Sequence, residues 1–132
     1  MRVDQVLVTG DAEGELLILD EPVSFWGGVD SDTGRIVDPR HPQIGAMLGG
    51  SILVLPHSRG SSGTSSSLVE LLRTGRGPIG IVLGAADSML TVGSLVAARL
   101  YGMTCPIVVA ALPERSSGIW HIQGETLERS NS

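Results

Sequence analysis

Three short apolar runs, at residues 52–55, 79–83 and 107–112, alternate with two stretches whose apolar residues recur at helical spacing. This alternation restricts the fold more than any other feature of the chain. The runs are too short for helices and show no polar residue at every second position, so each reads as a strand buried on both faces. The first intervening stretch carries Leu68, Val69, Leu71 and Leu72; the second carries Leu90, Val92, Leu95, Val96, Ala97 and Leu100. Asp87 and Ser88 mark the start of the second helix and Gly102 its end, while Arg73 and Arg76 suit the negative end of the first helix, near Thr74 and Gly75. Strands joined through crossover helices run parallel, which predicts a parallel sheet in the middle of the chain.

The flanks read differently. Residues 6–8 and 15–19 are apolar runs joined by a Gly/Asp-rich turn at residues 10–14 and are expected to pair with each other. Residues 119–123 form a last strand, and residues 126–132 are expected to fray. The fold class is therefore α/β, a β/β/α domain with mixed or barrel-like strands and two main helices. A chain of 132 residues with 42% apolar content suits one domain, residues 1–132, with a real core. Phe25 and Trp26 lie side by side on a segment read as extended, so one is expected inside and the other outside or under a partner. Residues 30–42 read as a loop; their acidic residues lack the register and closing Glu of an EF-hand, and metal is discounted there.

Composition removes whole classes of function. A net charge of −5, with nine arginines and no lysine, offers no basic patch for nucleic acid, and 3% aromatic residues leave little for base stacking. No window is long and apolar enough for a membrane span, and the first five residues lack the apolar region of a signal peptide, which makes the cytoplasm the expected compartment. Cys105 is the only cysteine, so no internal disulfide, thiolate-bound zinc or iron–sulfur cluster is expected on this chain alone. Its place before Pro106 and an apolar run reads as a small buried side chain.

Chemistry concentrates between the first central strand and the first helix. His57 and Arg59 precede six hydroxyl residues within residues 61–67, interrupted only by Gly63. Such a run has two readings. A Ser-rich turn before a helix ordinarily serves capping and solubility, but one hydroxyl is enough for a cap. The surplus, the close backbone approach that Gly60 allows, and the position at the carboxyl end of a strand suit a carboxylate or phosphate held beside Arg59. A Walker loop is excluded by the absence of lysine, no dinucleotide fingerprint is present, and Gly60-Ser61-Ser62-Gly63 does not match the G-x-S-x-G elbow of hydrolases. Asp38, Arg40 and His41 either reach this site or pair among themselves in a solvated loop.

Several motifs together resemble the small subunit, or swivelling domain, of the aconitase X family. They are Ser24-Phe25-Trp26-Gly27-Gly28-Val29-Asp30 with Thr33-Gly34, Asp38-Pro39-Arg40-His41-Pro42, Gly49-Gly50-Ser51 leading into residues 52–56, Ser58-Arg59-Gly60-Ser61-Ser62, and the helix at residues 68–72. The resemblance covers residues 6–109. It implies half of a heterodimeric hydro-lyase: a large subunit carries the iron centre, an iron–sulfur cluster or a mononuclear iron, and the small subunit supplies a serine that takes a proton as water is eliminated from a small hydroxy acid. The family's reactions imply cis-3-hydroxy-L-proline as substrate, with mevalonate 5-phosphate as the alternative. The lack of lysine and a 17% charged fraction are unlike the ion-pair-rich surface of a hyperthermophile and favour the first.

Carried onto this sequence, the resemblance makes Ser61 the proton acceptor, with Ser62 as second choice; Arg59, Gly60, Ser62, His57, Arg40 and His41 are the candidate substrate-binding residues. Gly63 and Thr64 interrupt what is often an unbroken serine run in the family. The residues taken alone agree, since eliminating water beside a carboxylate needs a base, a cation and a Lewis acid, and the chain offers the first two. Serine can act as a base only if its alkoxide is stabilised by helix-start N–H groups and Arg59 in a dry site. A free-standing anion-binding module and a structural subunit that shapes another protein's site are the competing classes, with a serine hydrolase behind both.

Overall fold

The computed structural model describes residues 1–58, 63–111 and 118–130. The elements in order are β1 (Gln5–Val8), β2 (Asp11–Ile18), a short helical turn α1 (Phe25–Gly28), β3 (Ile52–Leu55), α2 (Gly63–Arg73), β4 (Gly80–Leu83), α3 (Ser88–Tyr101), β5 (Ile107–Val109), β6 (Ile119–Gln123) and β7 (Thr126–Arg129). The strands form one sheet in the order β1-β5-β4-β3-β2-β6-β7. Its middle, β2 to β5, is parallel; β1, β6 and β7 add antiparallel to their neighbours. The sheet curls until its edges meet. Ahead of β1, Val3 N donates to Glu125 O and Leu127 N to Met1 O, both at 2.8 Å, so residues 1–3 run antiparallel to the start of β7. The predicted class, a mixed and barrel-like α/β sheet with two main helices, is the one found.

Strand period divides the interior into two cores. Leu53, Leu55, Ile81, Leu83 and Ile107 point to one face and pack under Leu68, Leu71, Leu90 and Ala97 of α2 and α3. Their neighbours Ile52, Val54, Val82 and Val108 point to the other face and meet Val3, Ile122 and Leu127 inside the curl. Burial on both faces explains why β3 and β4 read as unbroken apolar runs, each large side chain contributing about 1.5–3 kcal/mol. Helix α3 begins where its signals place it, with the Asp87 carboxylate accepting from Leu90 N, and ends at Gly102 with φ 67°, the left-handed conformation that glycine tolerates. No described helix is long and apolar enough to cross a membrane.

Four expectations are corrected. β1 and β2 do not pair: β1 lies against β5, and residues 11–14, read as turn, belong to the first half of β2, which pairs with β6. Asp11, Ala12 and Glu13 alternate exposed, buried, exposed, which is a strand pattern hidden by turn-forming residue types. Residues 126–129, expected to fray, form β7; Leu127 is fully buried and Ser130 N donates to Ile119 O at 2.7 Å. Residues 131 and 132 lie outside the described residues. Helix α2 starts no later than Gly63, so residues 64–67 are helix where loop was expected. Finally, Trp26 sits in the α1 turn, although its own backbone is extended at φ −87°, ψ 113°. The expected split of its neighbourhood holds, with Phe25 1% and Trp26 68% exposed.

Candidate active-site edge

Because β2 to β5 are parallel, their carboxyl ends share one edge, and α2 and α3 both begin just beyond it. Helix-start N–H groups and strand exits meet there, as at ligand sites of open α/β sheets. The exits of β3 and β4 are laced together: Pro56 O accepts from Gly84 N at 3.1 Å and from Ala85 N at 3.2 Å.

Two residues further on, Ser58 is 4% exposed and fully engaged. Its N–H and its hydroxyl both donate to Asp87 Oδ2, at 2.9 and 2.6 Å. Its carbonyl oxygen lies 2.7 Å from His57 Nδ1, and since a carbonyl only accepts, that nitrogen carries the proton. The other Asp87 oxygen caps α3 through Leu90 N at 3.1 Å. Partial burial raises the pKa of the Asp87 carboxyl, but the Ser58 hydroxyl and the N–H groups of Ser58, Leu90 and Met89 outweigh it and hold the group below the usual range. Neither Ser58 nor Asp87 was among the sequence-derived site residues. Asp87 carried only a cap signal, and nothing local ties it to a serine 29 residues away.

The segment between this anchor and α2 holds the principal candidates. Arg59, Gly60, Ser61 and Ser62 lie outside the described residues. The chain is again fixed at Gly63, where a Cβ would come within 2.9 Å of the Trp26 ring, so only glycine allows that ring to lie over the start of α2. The hydroxyls that follow have packing roles. Thr64 is fully buried, Ser65 Oγ donates to Met89 O of α3 at 2.6 Å, and Ser66 Oγ donates back to Gly63 O at 3.1 Å. Part of the hydroxyl surplus therefore joins the two helices. Along the flank of α2 runs an open groove of about 410 Å³, with Trp26, Val29, Val37 and Ser67 among its walls.

The second predicted cluster lies on the same edge. Gln43 Nε2 donates to Asp20 Oδ2 at 2.7 Å, docking the turn at residues 38–43 onto the chain leaving β2. His41 is 5% exposed and engaged at both ring nitrogens: Nδ1 accepts from Gln43 N, and Nε2, which therefore carries the proton, faces Glu21 O, each at 3.0 Å. Arg40 is the opposite case, with a side chain 87% exposed and Nε 3.4 Å from Asp38 Oδ1. The hollow beside them, between Glu21, Pro22, Asp38, Arg40 and His41, measures about 80 Å³, well short of the roughly 300 Å³ at which small-molecule sites begin. His57 is exposed, with Nε2 as its remaining polar atom.

Among the described residues no group of three or more His, Cys, Asp or Glu is placed to hold a metal ion. Cys105 is fully buried, and burial pushes its thiol up to about 12.

Against known proteins, the aconitase X swivel domain model matches residues 2–122. Cis-3-hydroxy-L-proline dehydratase of Pseudomonas aeruginosa is 44% identical over 113 residues, which are 86% of this chain and 19% of that protein. Its namesake in Hypocrea jecorina is 39% identical over 107 residues, 81% of this chain and 18% of its own length. The chain thus spans less than a fifth of either dehydratase. The phosphomevalonate dehydratase small subunit of Pyrococcus furiosus is 40% identical over 91 residues, 69% of this chain and 68% of the subunit. Among solved structures, the holo-form crystal structure of Thermococcus kodakaraensis aconitase X superposes with a TM-score of 0.83 at 26% identity, covering 96% of this chain and 95% of that one. With a family model matched along most of its length and a shared fold, this chain belongs to the aconitase X swivel domain family.

Proposed function

We propose that the chain is the swivel component of an aconitase-X-type hydro-lyase and works with a large partner subunit to dehydrate a small hydroxy acid, cis-3-hydroxy-L-proline. The observation that carries this reading is the 44% identity to a cis-3-hydroxy-L-proline dehydratase across 86% of the chain. In the proposed reaction Ser61 Oγ accepts the proton from the carbon beside the carboxylate. The C–H electron pair becomes the new double bond as the C–O bond breaks, and the departing hydroxide takes up the proton held by Ser61 to leave as water, returning Ser61 to its starting state. Arg59 pairs with the substrate carboxylate, Gly60 and Ser62 present N–H and hydroxyl donors, and His57 and the exposed Arg40 stand at the rim. His41 acts by holding its turn in place. The iron centre, which would supply a Lewis acid for the hydroxyl, is assigned to the large subunit.

A second substrate, mevalonate 5-phosphate, is favoured by a different observation, the match to 68% of a phosphomevalonate dehydratase small subunit. One experiment separates the two. The chain is co-purified with its large subunit, and dehydration of both compounds is measured alongside iron content. Ser61→Ala is expected to lower turnover by about 10²–10⁴-fold, the range for loss of a general base, with the complex still assembled. A Ser61→Ala complex as fast as the parent overturns the assignment.

A further inference from the structure

Ser58 is held more completely than entry into a surface turn requires. An N-cap needs one acceptor oxygen, and Asp, Asn and Ser fill the role about equally well. Asp87 uses Oδ1 for that purpose, through Leu90 N at 3.1 Å. Its second oxygen takes both the N–H and the hydroxyl of Ser58 at 2.9 and 2.6 Å. The exits of β3 and β4 are already joined through Pro56 O, so the sheet does not depend on this second connection. What the additional bonds fix is the orientation of the peptide that leads to Arg59. At the far end, Gly63 is fixed under the Trp26 ring.

We infer that Asp87 is a positioning residue of the dehydratase site, acting through Ser58 to set the direction in which the chain leaves β3. The inference rests on the reading of Ser61 given above. Its physical basis is tolerance: a misplacement of about 1 Å costs a reaction on the order of 10²-fold, and reacting groups are held to such limits by hydrogen bonds one layer behind them.

The test uses the assembled complex. Asp87→Asn keeps a side chain of equal capping rank but takes the charged acceptor away from Ser58. It is expected to lower kcat by about 10–100-fold with KM unchanged and the complex intact. Ser58→Ala, which removes only the hydroxyl bond, lowers kcat less, and the double variant is no slower than Asp87→Asn alone, because both changes act on one connection. A merely structural role would reduce the folded fraction and leave the kcat of the folded complex at the parent value, and that result overturns the inference. Where Asp87→Asn does not assemble, Ser58→Ala carries the test, since it leaves the cap intact; a parent-level kcat again overturns it. If the parent complex is active, Ser61→Ala is inactive and Asp87→Asn is unaffected, this inference alone fails. If the parent complex dehydrates neither compound, the functional reading fails and the inference with it.

Discussion

The turn around His41 and the corner between β3 and α2 share one edge of the sheet but are built to opposite plans. The first is held along its own length, by bonds inside the turn and to the chain leaving β2. His41 engages Gln43 N and Glu21 O, Gln43 reaches Asp20, and the backbone N–H of the exposed Arg40 goes to Asp38. The second is held from outside its tip, by Asp87 on one side and Trp26 on the other. A turn that engages its own polar atoms is a shaped wall. A corner gripped at its two ends frames the stretch in which the sequence concentrates Arg59, Ser61 and Ser62.

Substitutions in the two regions should therefore affect different quantities. The largest effect belongs to the corner: Ser61→Ala reduces turnover about 10²–10⁴-fold while the urea unfolding midpoint stays where it was. His41→Ala does the reverse. It leaves Gln43 N and Glu21 O without their partner and costs about 1–3 kcal/mol of stability, read from urea unfolding, while the kcat of the assembled complex is unchanged. A fall in kcat at full stability would erase the distinction between wall and corner.

Gly63→Ala tests the second anchor. Its Cβ would press on the Trp26 ring, costing about 1–3 kcal/mol, and the ring's displacement should appear in Trp26 fluorescence measured in a Trp120→Phe background. The smallest effect concerns Asp87. Its carboxyl is held low in the fold, so the stability it contributes is complete above the ordinary carboxylate value near pH 3.9 and is lost as pH falls through the folded value. The parent's advantage over Asp87→Asn in urea unfolding should be constant from pH 7 to about 5 and shrink below about 4. An advantage that persists unchanged at pH 3 contradicts the Ser58–Asp87 connection.

The alternation of buried strand and helix was legible because it is written in local periods and caps: Leu53 to Leu83 on one face, Asp87 and Gly102 at the two ends of α3. The choice of partner strand was not. Apolar content at residues 6–8 fits β2 as well as β5, and the closing of the barrel depends on residues 1–3 meeting residues 125–127 from the far end of the chain. β7 escaped notice because an edge strand with one buried residue, Leu127, has almost no period to detect. At the candidate site, the sequence reading overcounted free hydroxyls. The contact of Ser65 with Met89 and the burial of Thr64 come from packing of α2 on α3, which no local pattern encodes.

The depth of Cys105 has a practical consequence for chemical labelling. A thiol with no exposed surface and an ionisation pushed to about 12 will not react with maleimides, iodoacetamide or mild oxidants while the fold is intact. Inactivation of the proposed complex by such reagents would then originate outside these 132 residues, and a cysteine introduced on their surface would be the one among them open to labelling.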